Sequence, residues 1–245
     1  VKIEFIADTK EMLGILEKPY PASKKSPFWL KRMPTYIGRK KAINDNGVPN
    51  YTIKNNYNIT DALNIGYYIP LHSDVSFKTE KNYGINVKWA WNSLKVVHMY
   101  EEEETEGYPL PDSFEQVIFK WGCPWIIKTP PGWSCLFTHP MHQDNLPFKS
   151  IPIVVDTDKY PKSIEFPFLL EKDFSGLIEK GTPIIQVIPF KREKVISEFS
   201  YDFGFFKNQW KKASSIIFDR YKKLFRSEKT YEQGSVKNQI NYIFK

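Results

Sequence analysis

Along most of this chain the apolar residues come in short runs or alternate with polar ones. That period of two belongs to strands, and only near the C-terminal end does it lengthen to that of a helix. Residues 1–7 alternate and predict a half-buried strand, followed by Asp8 or Thr9 as the cap of a short turn reaching Leu16. The strand pattern returns at residues 66–77, 85–91, 93–100 and 114–128, with a turn at 81–84. Residues 127–193 are the densest series, β-branched and aromatic runs punctuated by Pro, Gly and Asp, with no helical face. Inside it, Ile153-Val154-Val155 leads into Asp156 and Asp158, whose spacing puts both carboxylates on one face of an extended backbone. Further on, a polar turn at Lys180-Gly181 feeds an apolar strand that carries Gln186.

Other stretches break the period. Pro19, Pro21, Pro27 and Pro34 fix φ and remove donors, so residues 19–34 predict an extended N-terminal arm outside any ladder, anchored by burial of Phe28, Trp29 and Met33. Residues 39–58, rich in Asn, Lys and Gly, read as exposed loops around a short strand at 51–54, and Thr60-Asp61 as the cap of one helical turn through Leu63. Glu101 to Glu104 and Glu106 repel one another and predict a loop. Phe206, Trp210, Ala213, Ile217, Tyr221 and Leu224 recur at steps of three and four among Lys207, Lys211, Lys212, Arg220, Lys222, Lys223 and Arg226. They predict a C-terminal amphipathic helix with a basic face, read first as packing on the sheet or a neighbouring subunit, and only second as touching nucleic acid or an acidic membrane. The polar tail from Ser227 ends in Tyr242-Ile243-Phe244, a segment suited to docking on a partner chain.

Composition narrows the class. With 245 residues, 16% aromatic, the chain predicts one mainly β core with appendages: an N-terminal strand and arm over 1–60, a β core over 61–193, and a helix and tail over 194–245. A net charge of +7 and a pI near 9.1 admit an anionic partner, although solubility alone accounts for them. Cys123 and Cys135 sit in apolar strand contexts without C-x-x-C spacing, which points away from disulfides and zinc. No apolar run is long enough for a membrane span, and the first residues lack the pattern of a secretion signal, so a soluble, non-exported protein is expected.

The order of pieces over 61–192 carries a resemblance. Pro131-Gly132, the Val154-Val155-Asp156-Thr157-Asp158 run, and Lys180-Gly181 followed by Ile184-Ile185-Gln186-Val187-Ile188 succeed one another as in the core of the dUTPase and dCTP deaminase superfamily. Residues 64–71, around Gly66-Tyr67-Tyr68, lie where that superfamily has its alanine-glycine-tyrosine-aspartate-leucine motif. The whole chain also resembles a family encoded by tailed marine phages, through its motifs at 27–34, 66–71, 128–137 and 155–160. The first resemblance implies a β-clip or distorted barrel, assembled as a homo-oligomer and commonly a trimer. The second implies a phage protein located in the host cytoplasm or the virion; the candidate partners are a virion component, a host protein or a small anionic ligand.

For chemistry, the superfamily needs a carboxylate that activates water, Mg²⁺ on a nucleotide, and donors that offset phosphate charge. The resemblance puts Asp156 in the first role and Tyr67, His139, His142, Asp158, Tyr160 and Gln186 around the ligand. The departures are substantial. The first-motif aspartate is replaced near Tyr67-Tyr68-Ile69, the phosphate loop by Thr138-His139-Pro140-Met141-His142-Gln143, and the glycine-rich lid has no counterpart at 231–235. Neutral imidazole substitutes poorly for arginine. Asp156 and Asp158 also suit a turn whose carboxylates accept backbone N–H groups, a reading favoured over catalysis. The expectation is therefore an oligomeric binding or structural module with no cofactor. A nucleotide pyrophosphatase or deaminase-like enzyme using Asp156 with Mg²⁺ is the alternative. Third comes an Fe(II) and 2-oxoglutarate oxygenase using His72, Asp74 and His139, whose order fits a two-histidine, one-carboxylate set.

Overall fold

A computed structural model describes residues 1–43, 49–80, 84–90, 95–213 and 220–227. The chain forms two compact units, one from residues 1–22 and 66–192, the other from 23–65 and 193–245.

The first unit is built from antiparallel sheets, and no barrel closes among its described strands. In chain order they are β1 (Glu4–Ile6), β2 (Tyr20–Pro21), β3 (Tyr67–Pro70), β4 (Val75–Glu80), β5 (Gly84–Trp89), β6 (Val97–Met99), β7 (Phe114–Trp121), β8 (Ile126–Lys128), β9 (Trp133–Thr138), β10 (Phe148–Ser150), β11 (Ile153–Val155), β12 (Phe166–Glu171), β13 (Gly176–Ile178) and β14 (Pro183–Lys191). A five-stranded sheet runs β11-β9-β14-β3-β2, a four-stranded one β10-β12-β7-β6, a three-stranded one β13-β4-β5, and β1 pairs β8. The expectation of a mainly β protein holds.

The apolar runs become the core. β12 is buried on both faces except at its last residue, as its Phe-Pro-Phe-Leu-Leu run demands, whereas β5 alternates half-buried Ile85, Val87 and Trp89 with exposed partners. Trp121 stacks on Phe168 with ring centroids 4.0 Å apart, and Phe77 meets Phe119, Trp121 and Phe168 edge-on. Each such ring, when fully buried, contributes about 1.5–3 kcal/mol. Gly66 (φ +73°) opens β3 where a Cβ would come 2.0 Å from the Val187 carbonyl oxygen, so no other residue fits.

Several sequence expectations need correction. The run at 66–77 is two strands, because Leu71 turns out of β3 to exchange backbone hydrogen bonds with Thr182 and Gly181 at 2.8 Å each. The acidic run is one 3₁₀ turn, Glu102–Thr105, in which Glu101 and Glu104 cap each other. Pro21 does sit in a ladder, as β2 at the sheet edge, where a missing donor costs nothing. Thr9 caps α1 (Lys10–Ile15) as expected.

The second unit is helical and polar. Residues beyond Pro27 form α2 (Phe28–Arg32) rather than an extended arm; a proline preceding the first turn suits a helix start. Phe28 is 67% exposed under the Arg32 guanidinium, so it is not a buried anchor, while Trp29 and Met33 are half-buried. In place of the strand at 51–54 there is a 3₁₀ turn, Ile53–Asn55. α3 (Tyr57–Asn64) starts before Thr60, because Asn56 caps it. Asn50 organises the preceding loop: its Oδ1 accepts from the Ala42 amide and its Nδ2 donates to the Ile37 and Lys40 carbonyls. The amphipathic stretch forms α4 (Phe203–Ala213) and α5 (Arg220–Leu224). Arg226 grips Asp61 through Nε (3.1 Å) and Nη2 (2.6 Å), and Tyr57 stacks with Tyr221. The turn at 81–83, the strand start at 93–94, Trp91, Ile217, and the tail with Tyr242-Ile243-Phe244 lie outside the described residues.

Candidate functional site

A dense polar cluster among the described residues of the first unit lies where β9, β11 and β14 meet. β11 ends at Val155, so Asp156 and Asp158 are not on an extended face; the backbone turns, and the Lys159 and Tyr160 amides both donate to the Asp156 carbonyl at 2.9 Å. The register of β14 on β9 pairs Lys191 with Trp133, which delivers the next residue, Arg192, to that turn. Arg192 holds Asp158 with both Nη atoms, Nη1 to Oδ1 at 2.9 Å, while Nη1 also reaches Asp156 Oδ1 (3.2 Å), Ser134 Oγ (2.9 Å) and the Trp133 carbonyl (2.9 Å). Ser134 Oγ donates to Asp156 Oδ1 at 2.6 Å, and the Gly132 amide donates to Asp158 Oδ2 at 2.8 Å.

This is a brace made of charge-assisted hydrogen bonds, in which the planar guanidinium matches two carboxylates at once. The Asp158 side chain is 4% exposed, whereas that of Asp156 is 55% exposed. Hydrogen bonding from Arg192 lowers the Asp158 carboxyl to about 2; partial desolvation opposes this and the Gly132 amide reinforces it. Behind the brace, Thr157 and Thr129 share a 2.7 Å hydroxyl contact, and the Thr157 hydroxyl reaches Cys135 Sγ. Burial lifts the Cys135 thiol to about 11 and the Cys123 thiol to about 12, so neither is a nucleophile at neutral pH. Sequence reading missed Arg192, Ser134 and Gly132. The available signal was an arginine one step beyond the last strand.

A second polar network lies at the other end of β9, roughly 14 Å along the strand from Ser134 to Thr138. Gln186 is fully buried and its Oε1 accepts from the Met141 amide at 3.0 Å. His139 Nδ1 accepts from the Ser150 amide (3.2 Å), so its proton sits on Nε2, which faces the Gln143 carbonyl at 3.3 Å. Burial lowers the pKa of this ring, against the opposing pull of the Gln143 carbonyl and the Asp144 charge. His139 and Gln186 thus fasten the loop after β9 to the sheet. His142 is exposed in the left-handed region (φ 57°), Tyr67 packs edge-on against Phe5, and Tyr160 is exposed beyond the brace.

No family model and no curated protein matches this chain.

The remaining candidates divide on geometry. His72 is 2% exposed with both ring nitrogens lacking a partner, and burial, aided by the Lys180 charge, lowers it to about 4. Asp74 accepts the Lys180 amide at 2.7 Å. With both His139 nitrogens engaged as well, His72, Asp74 and His139 do not form an iron-binding set. Among the described residues no group of three His, Cys, Asp or Glu side chains is placed to hold a metal. At Asp156 and Asp158 the Arg192 guanidinium supplies the neighbouring positive charge, while the Asp156 side chain stays 55% exposed.

Proposed function

We propose that this protein is an oligomeric binding or structural module with a dUTPase-like β-clip architecture, in which the carboxylates of the former catalytic position serve as a structural brace. Engagement of Asp156 and Asp158 by Arg192 carries this reading. A water-activating aspartate works as a base with an open face toward substrate and cationic help on phosphate; here the neighbouring cation ties the carboxylates to β9 and β14 instead. The sequence resemblance supports a phage setting, with the homo-oligomer acting in the virion or against a host protein. Two measurements test this. Sedimentation equilibrium at micromolar concentration should give an oligomer, and mass spectrometry of purified particles of the parent phage should contain the chain. A monomer absent from particles would overturn the reading.

One observation favours a second reading. Asp156 is more than half exposed, with contacts to Ser134 and Arg192 through Oδ1. A nucleotide pyrophosphatase of altered specificity would use it as the base, and Asp156→Asn would then abolish pyrophosphate release from dNTPs and Mg²⁺.

A further inference from the structure

An open groove of about 440 Å³ lies on the first unit beside β6 and β7, and it shares no residue with the Arg192 brace. Its floor is apolar, formed by Ile118, Ile151 and Pro167, and its walls include Tyr100 and Tyr108, the latter 43% exposed. Glu104 and Glu106 line it on the acidic 3₁₀ turn; Glu104 is fixed there because its Oε2 accepts the Glu101 amide at 2.9 Å. The unit holding the groove is net acidic, with twenty Asp and Glu against sixteen Lys and Arg, although the whole chain is basic. Of the two rings, Tyr100 already carries the protein's own ammonium, Lys120 Nζ at 4.0 Å from its centre, so the exposed Tyr108 is the ring offered to an incoming one.

We infer that this groove is a docking site for an extended, lysine-bearing segment of a partner protein. Tyrosine faces attract an ammonium group, the aliphatic floor takes the methylene stem of a lysine, and the glutamates steer and hold the charge. An acidic or purely apolar occupant would leave Glu104 and Glu106 opposed or uncompensated. The inference stands whether or not the brace reading holds, because it draws on other residues.

The test is fluorescence anisotropy of the full chain with fluorescein-labelled hexalysine, alongside the same peptide with every side chain acetylated. Saturable binding to hexalysine alone is expected, weakened about tenfold by Tyr108→Ala and by Glu106→Lys, a loss of about 1.4 kcal/mol each. Both side chains are exposed, so neither variant endangers folding. Equal binding by Tyr108→Ala and the unmodified protein would mean a plain acidic surface and would overturn the inference, as would equal binding of the acetylated peptide. Sedimentation velocity at about 0.15 M and 0.5 M salt provides the last arm. Self-association that Glu106→Lys abolishes would assign the groove to a second copy of this chain and overturn the partner segment; self-association unaffected by that substitution supports the inference.

Discussion

Arg192 decides how the carboxylates at 156 and 158 behave, and its consequences are measurable in pH. The Asp158 pKa in the folded protein is about 2, below its ordinary 3.8, so its stabilisation is complete above the ordinary value and disappears as pH falls through about 2. Arg192→Ala should therefore lower the urea midpoint at pH 7, and the deficit should shrink below about pH 4 and vanish below about 2. Arg192→Lys should recover only part of it, since a point charge lacks the fork that spans both aspartates. A deficit independent of pH would contradict this. His72 acts in a higher window. Its folded pKa of about 4 lies below the ordinary 6.5, so the stability it confers is full above 6.5 and is lost as pH falls toward 4. Urea midpoints between pH 7 and 4 should decline in the unmodified protein and decline less in His72→Leu; parallel declines would exonerate the histidine.

The residues that sequence reading singled out and those it missed differ in one physical respect. Asp156 and Asp158 stood out because a carboxylate pair after an apolar run is locally unusual. Arg192 did not, because what gives it a role is the long-range register of β14 on β9, and register is not written in a single strand. The same limit explains His139 and Gln186: their types suggested a ligand, while their actual partners, the Ser150 and Met141 amides, depend on how a loop folds back.

For elements, the period-two pattern located the strands of the first unit well, since β-branched and aromatic alternation reports burial directly. It failed where a local hydrogen bond overrode the pattern. Leu71 leaves β3 to pair with the 180–182 turn, and Asn56 starts α3 before Thr60. The proline-rich stretch went astray for a related reason, because proline forbids helix interiors and central strands but is welcome at the edge position of Pro21 and before the first turn of α2. Two glycines offer a controlled test of the sheet packing. Gly66 and Gly132 both have positive φ, which costs another residue about 1–3 kcal/mol. Only at Gly66 would a Cβ also strike the Val187 backbone; at Gly132 nothing lies within 4 Å. Gly66→Ala should thus be far more destabilising than Gly132→Ala by thermal melting. Equal losses would show that β3 and β14 do not approach as described.

On the scale of the whole molecule, the first unit is a β body with an aromatic core around Trp121 and Phe168, and the second is a helical, strongly basic unit held by Asn50 and the Arg226–Asp61 pair. No helix among the described residues is long and apolar enough to cross a membrane. The exposed stripe of α4, with Phe206 and Trp210 at 60% and 64% exposure, matches the spacing expected from sequence. The central claim concerns the braced carboxylates, and it is tested most directly by incubating the full chain with each dNTP and Mg²⁺ and assaying pyrophosphate. No release above the buffer blank is expected, either from the unmodified chain or from Asp156→Asn; turnover that Asp156→Asn abolishes would contradict the account.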